Sequence, residues 1–230
     1  MVIQNTAIPK EELFEKVSSL SPKIYQLYLP TSTQKYYLGL KRFFDILMAA
    51  VALILLLPLL IISAVAIKID SKGPVLFKQE RVGKHKKKFV VYKFRSMFLS
   101  SPSNIATSQL TDAEKYITRV GKVLRRTSID ELPQLINIIK GDMSIIGPRP
   151  LIPAEREIHS MRYQQGVYFL RPGLAGLAQI NGRDLVSPEE KAKFDAEYLH
   201  TFSLKTDLKI IFKTIQVVFS HKGYVEGKQD

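Results

Sequence analysis

Residues 46–67 read ILMAAVALILLLPLLIISAVAI, a stretch with no charged side chain in which only Ser63 is polar. Coiled as a helix, these 22 residues would extend roughly 33 Å, close to the thickness of a bilayer's hydrocarbon core. A buried core helix is the other reading, but soluble helices of this length usually carry a polar face. Pro58 sits just past the middle. It lacks an N–H, and its ring clashes with the carbonyl of Ile54, so a bend is expected there. Both flanks are basic, with Lys35, Lys41 and Arg42 before the run and Lys68 and Lys72 after it. A helix that crosses a membrane should concentrate Lys and Arg on one side. The balance predicts a re-entrant segment that enters, bends at Pro58 and returns to the same face. A spanning helix is the competing reading.

Around this segment the chain divides into residues 1–40, an extension with no assigned role; residues 41–72, the membrane-inserted helix; and residues 73–230, the main domain. A chain of 230 residues suits one domain with an appendage. The extension holds a short helical candidate at 10–19. It lacks a basic start followed by an apolar run and a small-residue cleavage site, so no signal peptide is expected. The formal charge of +13 calls for an anionic partner: nucleic acid, an anionic membrane surface or a phosphate-bearing substrate. Cysteine is absent, which excludes disulfides and thiolate metal sites. Tryptophan is absent too, so Tyr and Phe must supply any interfacial aromatic anchors.

Beyond the apolar run, residues 75–77 and 89–94 read as strands flanking a polar connection at 81–88. Residues 68–95 carry ten basic and two acidic side chains. For Lys84, Lys86, Lys87 and Lys88 a solvated hairpin tip or a contact with anionic lipid heads is expected. Residues 99–111 form a polar loop rich in Ser and Thr, and a helix is predicted over 112–126. Near the C-terminus, Leu204, Leu208, Ile211, Phe212, Ile215, Val218 and Phe219 follow helical spacing, with Lys205, Lys209 and Lys213 elsewhere on the wheel. Such a helix either packs on the core or lies in a membrane interface. No internal repeat is visible. The fold class is α+β: a small mixed domain with an N-terminal re-entrant membrane helix and interfacial amphipathic helices.

The chemistry concentrates in Arg125-Arg126-Thr127-Ser128-Ile129-Asp130-Glu131-Leu132-Pro133. Ser128 and Glu131 have the spacing of a capping box, and acidic residues favour a first helical turn. Were Ser128 the cap, however, Pro133 would be the fifth helical residue, where its missing N–H costs a bond. Pro133 fits better at the first helical position, with Asp130 and Glu131 at the mouth of the helix. Spacing alone leaves capping and catalysis equally open. Downstream, Gly147-Pro148-Arg149-Pro150 holds Arg149 between two prolines, and Arg171-Pro172-Gly173 precedes Gln179-Ile180-Asn181-Gly182-Arg183. Singly these are turns; together, rigid arginines beside paired carboxylates suit a pyrophosphate and a divalent ion.

The ordered blocks Lys41-Arg42-Phe43-Phe44-Asp45, Tyr92-Lys93-Phe94-Arg95-Ser96-Met97, 127–135, Lys140-Gly141-Asp142-Met143-Ser144, 147–150 and 171–183 lie within a region from Lys41 to about Tyr224, some four-fifths of the chain. In them the sequence resembles the monotopic polyprenyl-phosphate phosphoglycosyl transferases, bacterial sugar transferases that begin glycan assembly, exopolysaccharide and capsule among them, on undecaprenyl phosphate. The resemblance decides the capping question for catalysis. It implies a UDP-sugar donor, an undecaprenyl phosphate acceptor and Asp130 as nucleophile toward the sugar-linked phosphorus. Glu131 is implied as the ligand of Mg²⁺, with UMP released and a phosphosugar carried on Asp130. Lys93, Arg125 and Arg183 occupy phosphate-binding positions of the family; Arg149 joins them from its rigid setting alone. The implied location is the bacterial inner (cytoplasmic) membrane, with the catalytic domain on its cytoplasmic face. The family's bend often follows Ser, whereas here Leu57 precedes Pro58.

Rival readings are a phosphatase or nucleotidyl transferase using the same pair, a basic membrane-bound scaffold, and a nucleic-acid binder. No nucleic acid is expected as partner, since much of the charge adjoins the apolar run and no nucleic-acid motif appears. A scaffold has no use for Asp130-Glu131 opposite fixed arginines. The sugar and the oligomeric state, a homo-oligomer included, stay open.

Overall fold

The computed structural model describes residues 30–102, 110, 112–182 and 185–220. The helical candidate at 10–19, most of the loop at 99–111 and Arg183 lie outside the described residues. Two helices open the described chain. α1 (Ser32–Leu55) starts at a capping box in which Thr31 and Gln34 satisfy each other's backbone N–H groups, and α2 (Leu57–Asp70) follows. The two axes are bent by 62° at Leu56, with Pro58 in the first turn of α2, where its missing N–H costs nothing. The bend predicted from Pro58 is thus present, seated just ahead of the ring. Among the described residues no single helix is long and apolar enough to cross a membrane, while the bent pair together is.

Both limbs pack on the same body. From α1, Ala49, Ala52 and Leu53 meet Val91, Leu135, Ile138 and Met143. From α2, Leu60, Ala64 and Ile67 meet Phe94 and Leu124. The opposite faces are bare: Ile54, Leu55, Ile62 and Ile69 are exposed. Apolar exposure on this scale marks a surface that something covers.

Strands β1 (Leu76–Val82) and β2 (Lys88–Phe94) pair antiparallel, with Leu76 opposite Phe94 and Val82 opposite Lys88. The hairpin is the one expected, its first strand longer. Its tip, a 3-10 turn at Lys84–Lys86, folds back on the domain rather than into solvent. Lys84 lies over the Phe169 ring at 5.2 Å and Lys86 over Tyr163 at 4.5 Å, whereas Lys87 and Lys88 are exposed as expected.

The single helix predicted over 112–126 is instead a 3-10 turn (Ala113–Tyr116) followed by α3 (Arg119–Arg126). The break has a local cause and a distant one. Thr118 takes the N-cap position, its side chain accepting from Gly121 N at 2.9 Å, and Thr118 N donates to Ser96 O at 3.1 Å. Gly121 then lies so close to the segment after β2 that a Cβ there would sit 2.0 Å from Ser96 O.

After α3 come a 3-10 turn (Ile129–Glu131), α4 (Gln134–Lys140) and β3 (Ser144–Ile146). Next are α5 (Arg156–Gln164), β4 (Gly173–Ala175), which pairs parallel with β3, and the short α6 (Leu177–Ile180). α7 (Pro188–Thr201) and α8 (Leu204–Ser220) complete the described chain. The small two-stranded sheets among helices make an α+β domain. A core of Ile146, Leu170, Tyr198, Leu199, Phe202 and Ile210 joins β3 to α7 and α8. α8 is helical where its spacing predicts, and its apolar face is divided between core and surface. Ile210 is fully buried, while Leu204, Leu208, Phe212 and Ile215 form an exposed stripe.

Candidate active site

Ser128 adopts a left-handed conformation, φ 59°, and makes no side-chain cap bond, so the capping box that its spacing allows is not formed. Glu131 turns elsewhere. Its Oε1 accepts from Lys93 Nζ at 2.7 Å and from Arg149 Nη2 at 2.8 Å. Pro133 stands at the N-cap of α4, one residue from the place expected, within the usual spread of helix boundaries. The chain therefore passes from the 3-10 turn bearing Asp130 and Glu131 almost directly into α4.

Three elements meet here, each fixed by a buried polar contact. β2 carries Lys93. It is tied to α4 by Asn137, whose side-chain oxygen accepts from Tyr92 N at 3.0 Å and whose amide donates to Val90 O at 2.7 Å. Asn137 is completely buried, so these bonds have no competition from water. Arg149 comes from the turn after β3. There Gly147 N donates to Ala175 O and Gly173 N to Pro148 O, both at 2.9 Å. The two segments approach so closely that a Cβ on Gly173 would meet Gly147 N at 2.1 Å. The Arg149 carbonyl accepts from Arg162 Nη1 at 2.8 Å, and Arg162 is itself ion-paired with Asp195 at 2.6 Å in the core. Arg81 of β1 closes the ring, donating to Pro150 O at 3.1 Å.

The adjacent carboxylates behave oppositely. Asp130 is only 7 % exposed, and burial, with Glu131 adding repulsion, pushes its pKa up to about 6 against the pull of Lys93, Arg125 and Arg149. Burial alone would raise Glu131 too, but the Arg149 and Lys93 charges and hydrogen bonds hold it well below the usual carboxylate range. One group is a permanent anion inside a cationic clamp. Its neighbour is a desolvated carboxylate that still ionises at neutral pH, the condition of an activated nucleophile.

Among the described residues no cluster of three or more His, Cys, Asp or Glu side chains could enclose a metal ion. A Mg²⁺ site needs no such cage, since one or two carboxylates with substrate phosphates suffice. Glu131 fits that pattern. Both short contacts fall on Oε1, whereas among the described residues Oε2 meets only Arg149 Nη1, at 3.5 Å, so acceptor capacity remains.

Of the residues expected at the site, Asp130, Glu131, Lys93 and Arg149 are brought together, Arg125 is near enough for its charge to act on Asp130, and Arg183 is outside the described residues. Asn137, Arg162 and Asp195 were not anticipated. Asn137 could have been noticed as the polar interruption in Leu135-Ile136-Asn137-Ile138-Ile139. Nothing local distinguishes Arg162 or Asp195 from surface charges.

Known proteins resemble the chain over most of its length. A family model described as bacterial sugar transferase matches residues 36–221. The UDP-N-acetylgalactosamine-undecaprenyl-phosphate N-acetylgalactosaminephosphotransferase of Aeromonas hydrophila is 43% identical over 81% of this chain and 45% of its own length. The UDP-glucose:undecaprenyl-phosphate glucose-1-phosphate transferase of Escherichia coli K12 is 43% identical over 80% of this chain and 41% of its own. The exopolysaccharide production protein ExoY of Rhizobium meliloti is 40% identical over 80% of this chain and 87% of its own. The chain thus spans less than half the length of the first two relatives and most of the third. With the model matched from α1 through the C-terminal helix, the chain belongs to the bacterial sugar transferase family.

Proposed function

We propose that this chain transfers a sugar 1-phosphate from a UDP-sugar to undecaprenyl phosphate, giving lipid diphosphosugar and UMP and so starting exopolysaccharide, capsule or related glycan assembly. The observation that carries the reading is the buried Asp130, with its pKa pushed up to about 6, beside a Glu131 clamped by Lys93 and Arg149. The named activities of the relatives support it, and their different sugars leave this chain's sugar open.

In this mechanism an Asp130 oxygen attacks the sugar-linked phosphorus. The bond from that phosphorus to the bridging pyrophosphate oxygen breaks, and UMP leaves with the electron pair. An oxygen of the lipid phosphate then attacks the same phosphorus and frees the Asp130 carboxylate. Lys93 and Arg149 hold Glu131 in place and, with Arg125, face the charge of the donor's phosphates; Arg183 is assigned to the same phosphates from its family position alone. Glu131 would hold Mg²⁺, which when bound screens the repulsion between carboxylate and pyrophosphate.

Membrane attachment follows the bent pair. Because α1 and α2 both pack on one domain, a re-entrant path that returns to the cytoplasmic face of the inner membrane suits them better than a crossing. The bare faces of the pair and the exposed stripe of α8 would then meet lipid. The test of the chemistry is a donor-only incubation with Mg²⁺ and concentrated enzyme. UMP should appear in no more than the enzyme's own amount, and adding undecaprenyl phosphate should restart release. UMP that appears only with both substrates would remove the covalent step, and UDP as the nucleotide product would remove the reading altogether.

A further inference from the structure

A second group of cations lies at the other end of α4 from Asp130. That helix has seven residues, so the two ends are roughly 10 Å apart. At its C-terminal end Lys41, Arg42, Lys84 and Arg171 line one cavity between α1, the hairpin tip and β3. The cavity volume is about 40 Å³, where a single water needs about 10–15 Å³. It has room for a group of a few heavy atoms, such as a phosphate, and not for a sugar nucleotide.

The nearby carboxylates already have partners. Asp45, which also lines the cavity, accepts from Ser144 Oγ at 2.7 Å and Ile145 N at 3.1 Å. Asp207 accepts from Lys41 at 2.6 Å and from Tyr37 and Tyr198 at 2.7 Å. No carboxylate among the described residues lies within ion-pair distance of Arg42, Lys84 or Arg171. Arg42 donates to the Ile138 and Ile139 carbonyls at 2.7 and 3.2 Å. Arg171 gives its Nε to Gly141 O at 3.0 Å, and its terminal amino groups meet no acceptor among the described residues. Among the described residues the Lys84 ammonium has only the ring face of Phe169. Capping the carbonyl end of α4 accounts for the peptide-facing atoms of both arginines. It gives no reason for the hairpin tip to bring a lysine against them. Burial and then the Arg171 charge lower the Lys84 pKa from its ordinary value.

The cavity also borders apolar surface. Lys41 and Arg42 immediately precede the run that begins at Ile46, and Phe43, Phe44 and Leu47 beside them on α1 are exposed. A ligand that matches cationic donors next to bare aromatic and aliphatic side chains carries a phosphate on an apolar tail.

We propose that Arg42, Lys84 and Arg171 form a phosphate-binding site, separate from the Asp130-Glu131 centre, that takes the headgroup phosphate of an anionic membrane lipid. The site rests on the membrane placement proposed above and does not depend on the transfer chemistry.

The test uses the full chain in neutral detergent, with binding read by native mass spectrometry. The probes are short-chain phosphatidylglycerol, short-chain phosphatidylcholine and inorganic phosphate. Wild type should retain phosphatidylglycerol over phosphatidylcholine. Lys84→Gln and Arg171→Gln should weaken that binding about tenfold each, the equivalent of one charge-assisted hydrogen bond, and Lys84→Arg should restore it. Thermal melts establish that each variant is folded, and Lys84→Gln, which breaks no hydrogen bond, keeps the test open if Arg171→Gln is not. Failure of millimolar inorganic phosphate to compete assigns the site to lipid; full competition keeps the phosphate site and assigns it to the free ion. The proposal is overturned if Lys84→Gln and Arg171→Gln bind like wild type, if no probe binds, or if Asp130→Asn alone removes binding, which would put the phosphate in the catalytic centre. Flotation on phosphatidylcholine vesicles separates the two layers of the argument, since a protein that does not float loses its membrane placement whatever the phosphate result.

Discussion

Asp130→Asn removes a charge that the fold keeps out of water, and it should stabilise the protein while stopping the reaction. Asp130 is 7 % exposed, and its pKa moves from 3.8 to about 6. At 1.36 kcal/mol per unit, the native state disfavours ionised Asp130 by about 3 kcal/mol relative to the unfolded chain. The sign follows from proton counting. Between about pH 4 and pH 6 the native state holds the proton longer than the unfolded state, so stability falls as pH rises through this window and stays lower above it. Asparagine resembles the protonated carboxyl, but its amide donors face the Lys93 and Arg125 charges. The gain at pH 8 is therefore about 1–3 kcal/mol, or roughly 2–4 °C in melting temperature per kcal/mol for a chain of this size.

Near-UV circular dichroism of the tyrosines, the chain having no tryptophan, would follow melting of detergent-solubilised protein at pH 8, 6 and about 4. The variant should melt higher at pH 8, and the gap should close as wild-type Asp130 takes up its proton. Glu131→Gln should behave oppositely. Its carboxylate is stabilising above the ordinary glutamate range, and the substitution leaves Lys93 and Arg149 facing a neutral group, at a cost of about 2–4 kcal/mol. An Asp130→Asn protein less stable than wild type at pH 8, or a gap that does not change with pH, would refute the claim that burial dominates at Asp130.

Two further substitutions test how the site is held. Asn137→Leu should cost about 2–4 kcal/mol, because it leaves Tyr92 N and Val90 O without buried partners; hydrogen exchange on β2 should accelerate, and unchanged exchange would disconnect Asn137 from the strand. Arg162→Met should cost about 3–5 kcal/mol by leaving Asp195 unpaired, whereas Arg162→Met with Asp195→Leu should recover most of that stability yet not full activity, since Arg149 O still lacks its donor; full activity in the double variant, read as UMP release, would show that Arg162 does not position Arg149.

What was legible in the sequence was local. Pro58 announces a bend because a ring without an N–H is tolerated at the start of a helix but not within one, and the chain bends by 62° beside it. Arg149 between two prolines announces a fixed cation, and it reaches Glu131. Pro133 argued against a Ser128 cap, and the left-handed Ser128 confirms that no cap forms. What was not legible depended on distant contacts. No pattern within 112–126 says that Gly121 will press against Ser96 and that Thr118 will restart the helix there. The apolar spacing of α8 could not divide its face, because the packing of Ile210 depends on Tyr198 and Phe202 from another helix.

The same reasoning explains why the apolar limb and the domain act as one object. Asp45 and Asp207 are both buried and 162 positions apart, and each would be costly there alone. Lys41 bridges them, at 3.8 Å from Asp45 and 2.6 Å from Asp207, while Tyr37 and Tyr198 bond Asp207, and Ser144 bonds Asp45. Every member is satisfied only when α1, β3, α7 and α8 are in contact. Shifting α1 by one turn would strand two carboxylates and an ammonium together, which gives the network a single favourable register. Ser144 begins the strand that leads into the Arg149 turn, and Ala49, one turn beyond Asp45, packs on the helix that follows Glu131. The position of the apolar helix and the geometry around Glu131 are thereby set by one set of buried contacts.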